Sequence, residues 1–141
     1  MKDHKSQIKF VYNFHSNGNM WVFPYNGRDN NDIETRSPGV IQIFLEIGND
    51  ASFPKNEKNY GNSHDLLGEK IGGDMDDWIL GTLNIPSVTA ELGLQEQYID
   101  SWQIKDKETA LQIMEENEPW LEHTYQKIGC QVNLKPVYYK S

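Results

Sequence analysis

From Ile8 to Phe14, large apolar residues (Ile8, Phe10, Tyr12, Phe14) alternate with Lys9, Val11 and Asn13. A period of two predicts a strand, ending at His15. Ser16 to Asn19 (SNGN) is turn chemistry, and Met20 to Phe23 reads as a second short strand stopped by Pro24. Residues 26–37 are polar and read as a loop. Ser37-Pro38 then looks like an N-cap followed by proline at the first helical position. Val40, Ile43, Phe44 and Ile47 recur at helical spacing, and Gly48-Asn49 predicts the stop. Residues 50–73 carry no period and are expected to form one long loop, of the kind that is usually functional or poorly ordered.

Asp74 to Leu83 (DMDDWILGTL) fits a short helix whose first turn is acidic, as the helix dipole favours. Asn84 to Pro86 is a turn. Ser87 to Leu92 (SVTAEL) predicts a strand, with Val88, Ala90 and Leu92 on one face and Ser87, Thr89 and Glu91 on the other. Residues 107–117 and 119–128 predict one helix broken at Pro119 or two stacked helices, with Met114, Leu121, Tyr125 and Ile128 as the apolar stripe. Val132 to Tyr139, interrupted by Pro136, would be an edge strand. Strands alternating with helices imply an α/β sheet, and ligands of such sheets gather at the carboxyl ends of strands. His15 and Glu91 sit at two of those ends.

Composition narrows the partners. The chain has 141 residues, room for one domain and one core, with 37% hydrophobic and 24% charged residues. The formal net charge is -8, and no basic run is long enough to track phosphates, so a nucleic-acid partner is not expected. Acidity of this size also serves solubility alone. A single cysteine, Cys130, excludes an internal disulfide and a cysteine-based zinc cluster. No apolar run approaches the roughly 20 residues of a membrane span. The N-terminus, MKDHKSQ, has no apolar signal core, so either the protein stays where it is made or Met1 is not the start of the full product. The compartment is left open.

Each chemical residue has two readings. A lone histidine is more often a surface or hydrogen-bonded residue than a metal ligand, so His15 needs its context. Glu91 lies between Ala90 and Leu92, where an unpaired carboxylate is costly to bury. It is either a strand-end glutamate in a salt bridge or a general base or acid with a tuned pKa. Asp74, Asp76 and Asp77 are either an acidic first turn or a site for a cation or a basic substrate group. His64 and Asp65 read as loop residues, and nothing is assigned to His4 or His123. Trp21, Phe23 and Tyr25 form a packed aromatic strand or, less readily, a peptide-binding groove. There is no GxSxG, P-loop, GxGxxG or HExxH.

Taken together, YNFHSNGNMWVFPYNG, GGDMDDW and IPSVTAELG, with Glu91 placed 76 positions after His15, resemble the zinc carboxypeptidases, the M14 peptidases. The resemblance covers roughly residues 8 to 130. It implies the C-terminal part of that family's α/β fold, a mixed sheet flanked by helices. His15 would be a zinc ligand. Glu91 would be the base that deprotonates zinc-bound water and then the acid that protonates the leaving amine. Zinc lowers the pKa of its bound water to about 7, and a nearby carboxylate can then carry the proton. Ser16 and Asn17 would line the substrate cleft; the family often has an aromatic residue at the position of Asn17. Asp76, two before Trp78, would line the pocket for the substrate's C-terminal side chain and favour Lys or Arg by charge pairing. The stretch from Gly72-Gly73 to Trp78 is one residue longer than in the animal digestive enzymes, which bears on the register of Asp76.

The resemblance also shows what is missing. Only fourteen residues precede His15, and they contain no HxxE, the family's first zinc motif. One of three zinc ligands is present, and the upstream substrate-binding arginines are not. The expectation is a partial domain, residues 1–141, lacking its upstream half. Its partners would be peptide or protein C-termini and a complementing N-terminal half. Alone it would be inactive, and the alternative function is an inactive remnant or interaction module of the same fold.

Overall fold

The structure, a computed structural model, describes residues 4, 6–27, 36–37, 39–49, 59–99 and 103–129. The strand predicted at residues 132–139 and Cys130 lie outside the described residues.

A four-stranded mixed sheet organises the chain, built from β1 (Val11–His15), β2 (Met20–Val22), β3 (Asn59–Gly61) and β4 (Ser87–Glu91). Its spatial order is β1-β4-β2-β3. β1 runs parallel to β4 in the register Val11↔Ser87 to His15↔Glu91. β2 runs antiparallel to β4 and parallel to β3. The alternation read from the sequence therefore survives as two faces. One carries Tyr12, Phe14, Trp21, Val88 and Ala90; the other carries Asn13, His15, Thr89 and Glu91.

Helices cover both faces. On the aromatic face lie α1 (Val40–Asn49) and the long α4 (Lys107–Lys127). Phe44 and Trp120 are fully buried there against Trp21 and Val88. Trp21 and Trp120 rings sit 5.0 Å apart, and Phe23 stacks on Phe44 at 4.9 Å. Such pairs add to what area burial alone provides. Trp21, Phe23 and Tyr25 are core residues, at most 7% exposed, and so are packed strand rather than an open groove. Gly48 lets α1 approach Tyr60, because a Cβ there would come within 2.5 Å of the ring. The opposite face is covered by α3 (Met75–Leu83), whose Ile79 and Leu83 pack with Ile85 and with Ile8 and Val11.

Two expectations are corrected. Within the stretch expected as loop, residues 59–67 contain β3 and the short α2 (Ser63–Leu67). β3 is three residues long and shows no alternation, so only its pairing with β2 defines it. Asn62 caps α2 through a hydrogen bond from the Asp65 amide, and Gly68 ends it with φ 71°. Second, α4 is one helix with Pro119 inside it, and its buried face is Ile113, Asn117, Trp120, His123 and Thr124. Met114, expected in the stripe, is 66% exposed. Polar residues can occupy the face because each is hydrogen-bonded. Asn117 donates to the Ile113 carbonyl at 2.7 Å, Thr124 to the Trp120 carbonyl at 2.9 Å, and His123 Nε2 lies 3.1 Å from the Ile47 carbonyl. A small hairpin, β5 (Tyr98–Ile99) with β6 (Gln103–Ile104), follows the sheet.

Candidate active site

β1 and β4 end side by side. Because they are parallel, their carboxyl ends coincide, and His15 and Glu91 are register partners. Their side chains face each other, with His15 Nδ1 3.9 Å from Glu91 Oε1. The Leu92 amide donates to the His15 carbonyl at 2.9 Å and the Gly18 amide to the Gly93 carbonyl at 3.0 Å, so the two turns beyond the strands are stitched together. Burial pushes the Glu91 carboxyl above its ordinary range; His15 pulls the other way, and Asp74 adds to the rise. A half-buried carboxyl with a raised pKa beside an imidazole is suited to taking up a proton and giving it back.

Phe14, His15, Ser16, Leu92, Tyr98 and Ile104 line an open cleft of about 450 Å³ at this end of the sheet. Ser16 reaches the cleft and is a hydrogen-bond partner of the Tyr98 hydroxyl, which donates to the Leu92 carbonyl at 2.7 Å. Asn17 is in the same turn, half-buried, after a cis Ser16–Asn17 peptide bond, and does not line the cleft. Tyr98 bridges the turn after His15 and the turn after Glu91, a part that no motif marked. The tight packing of Gly93, where a Cβ would meet Tyr98 at 3.0 Å and Ile113 at 2.9 Å with φ +71°, holds that turn against the hairpin and α4.

Asp76 lies on the same face of the sheet, below this pair. It is fully buried. The Thr89 hydroxyl donates to Asp76 Oδ2, and Asn13 Nδ2 donates to Thr89 Oγ1 at 3.2 Å. Asn13 and Thr89 are themselves register partners, two residues before His15 and Glu91. Asp76 is therefore anchored one step down the sheet from the His15–Glu91 pair, about 7 Å along the strands. Asp76 Oδ1, although buried, has no hydrogen-bond partner among the described residues. Burial raises the Asp76 pKa to about 7; the hydrogen bond from Thr89 opposes this, Asp74 and Asp77 add to it, and Ser87 lowers it again.

The neighbouring carboxylates do other work. Asp74 caps α3 through the Asp76 amide and accepts from Asn26 Nδ2 at 2.7 Å. Asp77 accepts from the amides of Asn26 and Gly27, at 2.7 and 3.0 Å. His64 and Asp65 form an exposed pair 3.7 Å apart, far along the chain from the cleft.

His15 and Glu91 are the groups of metal-binding type that meet at the cleft. Among the described residues, no three His, Cys, Asp or Glu side chains converge as a metal site. Among the same residues, no helix is long and apolar enough to cross a membrane.

Comparison with known proteins gives two positive results. A model of the zinc carboxypeptidase family matches residues 1–115. The fold is similar to the crystal structure of carboxypeptidase A from Helicoverpa armigera, with TM-score 0.56 and 18% identity over 90% of this chain. The chain spans 31% of the length of that structure. A search of curated proteins finds no match.

Proposed function

The chain belongs to the zinc carboxypeptidase family, and on that premise we propose that it forms the His15–Glu91 part of a metallocarboxypeptidase acting on peptide C-termini, with a preference for Lys and Arg. One observation carries the reading: a histidine and a glutamate of raised pKa face each other at the adjoining ends of two parallel strands. His15 would be one zinc ligand, with the others supplied from outside the described residues, and bound zinc would acidify a water. Glu91 Oε1 accepts the proton of the attacking water and returns it to the leaving amine. Ser16 borders the scissile bond, and Asn17 shapes the turn behind it. Asp76 takes the substrate's terminal cation. Its distance down the strands is comparable to an extended Lys or Arg side chain, and its unpartnered oxygen is a ready acceptor.

The test uses the protein as isolated from its source, assayed on peptides ending in Arg, Lys and Leu. Arg- and Lys-ended peptides should be cleaved fastest, and Glu91→Gln should lower the rate about 10²- to 10⁴-fold. Full activity in Glu91→Gln would overturn the assignment of the base. Equal rates on Lys- and Leu-ended peptides would overturn the basic preference.

A further inference from the structure

At the His15–Glu91 end of the sheet the chain turns away on both sides, through Ser16–Asn19 after β1 and through Gly93, with φ +71°, after β4. Leu92, the residue after Glu91, is tied to the β1 end by both of its backbone groups. Its amide donates to the His15 carbonyl at 2.9 Å. Its carbonyl accepts from the Tyr98 hydroxyl at 2.7 Å. A phenol has a single proton to give, so Ser16, the residue after His15, is the donor in the hydrogen bond it shares with Tyr98. These groups close a ring. It runs from Ser16 Oγ to Tyr98 Oη, on to the Leu92 carbonyl, from the Leu92 amide to the His15 carbonyl, and along the chain back to Ser16. Tyr98 is itself anchored. It is 6% exposed and pairs with Ile104 of β6. The turn before it is closed by the Gln97 amide on the Leu94 carbonyl at 2.9 Å and by the Leu94 amide on Gln97 Oε1 at 2.7 Å. Its ring lies so close to Gly93 that a Cβ there would come within 3.0 Å.

We propose that Tyr98 is a positioning residue, which clamps the ends of β1 and β4 together and so sets how the His15 and Glu91 side chains face each other. This rests on the reading of that pair given above and adds the residue that holds it. His15 Nδ1 and Glu91 Oε1 are 3.9 Å apart, beyond a direct hydrogen bond, so contact between the two side chains does not fix their placement. The backbone must do so. Parallel pairing sets the register up to His15 and Glu91. Beyond it the ring, with the hydrogen bond from the Gly18 amide to the Gly93 carbonyl, carries the placement into the turns. Without the Tyr98 hydroxyl, the Leu92 carbonyl and the Ser16 hydroxyl lose their shared partner, and the turn after Glu91 is free to drift from the turn after His15. Proton transfer is sensitive to displacements of an ångström or less, and loss of a supporting partner costs roughly 10- to 100-fold.

Tyr98→Phe keeps the aromatic ring and removes the hydroxyl. In the protein expressed in and isolated from its source, with N-benzoylglycyl-arginine as the probe, kcat should fall about 10- to 100-fold while KM stays within about twofold. Ser16→Ala opens the same ring, so the double variant should be no slower than the slower single one. Thr124→Val, which removes a hydroxyl from the buried face of α4, is the control. It should lower Tm and leave kcat unchanged. Backbone hydrogen exchange needs no turnover. In Tyr98→Phe the Leu92 and Gly18 amides should exchange at least about tenfold faster, and the Phe23 amide, bonded to the Gly61 carbonyl, should not change. A kcat within about twofold of the natural protein, or a KM that rises alone, would overturn the positioning role. Losses that add in the double variant would overturn the ring. A natural protein that cleaves no peptide would sink the carboxypeptidase reading, and exchange would then decide the clamp by itself. Unchanged Leu92 and Gly18 amides would overturn it, and faster ones would uphold it.

Discussion

Burying Asp76 has a consequence for stability that is separate from substrate. Its ordinary pKa is 3.8 and its folded value is about 7. Between these values the native chain holds a proton that the unfolded chain has lost. Stability therefore falls as pH rises through about 4 to 7 and does not recover above it. The size is on the order of 4 kcal/mol. Glu91, also raised, acts with the same sign. Urea unfolding of Asp76→Asn at pH 5 and pH 8 should show a flatter pH dependence, with the variant the more stable protein at pH 8; an unchanged slope would refute the burial argument. At this scale the sequence was informative for residues with a chemical motif around them. Glu91 stood out locally as a carboxylate among apolar residues, whereas His15 and Asp76 gained weight only from the resemblance that YNFHSNGNMW and GGDMDDW carry. Thr89, Asn13 and Tyr98 did neither, because a threonine and an asparagine in strands and a tyrosine after a turn gain meaning only from pairing across the sheet.

Among the elements, α3 is placed by a junction centred on Asn26. This residue is fully buried and uses its whole amide. Its Nδ2 donates to Asp74, and its Oδ1 accepts from the Ser63 amide at 2.9 Å. Its carbonyl accepts from the Ser63 hydroxyl and from the Ile71 amide, at 2.9 and 2.8 Å. One turn thus ties β2, α2, the Gly72-Gly73 segment and α3, and so fixes where Asp76 meets Thr89. Asn26→Ala would strand the Ser63 amide and the Asp74 carboxylate at once. A loss of about 3 kcal/mol, on the order of 10 °C in Tm, is expected. A change below 2 °C would show that the junction is dispensable. The sequence offered the helices and the longer strands because each satisfies a period by itself. It did not offer β3, which is defined by β2, nor the buried face of α4, where the polar Asn117, His123 and Thr124 are placed only by their hydrogen-bond partners.

For the molecule as a whole, the sheet order leaves β1 at the edge among the described residues. Phe14 on that strand is 52% exposed beside the cleft. An uncovered edge strand with aromatic side chains invites another strand to pair. The 141-residue chain on its own should therefore associate as its concentration rises, and Phe14→Lys should reduce this. Sedimentation showing a monomer at every concentration, with a cooperative melt, would contradict the expectation. The α/β class and the strand-end position of the site were readable from alternation and motif order. The stacking of β1, β4, β2 and β3 was not, since β4 reaches its place between β1 and β2 through long-range pairing.

The account stands or falls on whether His15 and Glu91 belong to a metal centre. The most direct measurement is the zinc content of the protein isolated from its source, for the natural sequence and for His15→Ala. The account predicts one zinc per chain in the first and its loss in the second, without loss of fold by circular dichroism. Undiminished zinc in His15→Ala, or a natural protein that hydrolyses peptides with no zinc bound, would contradict it.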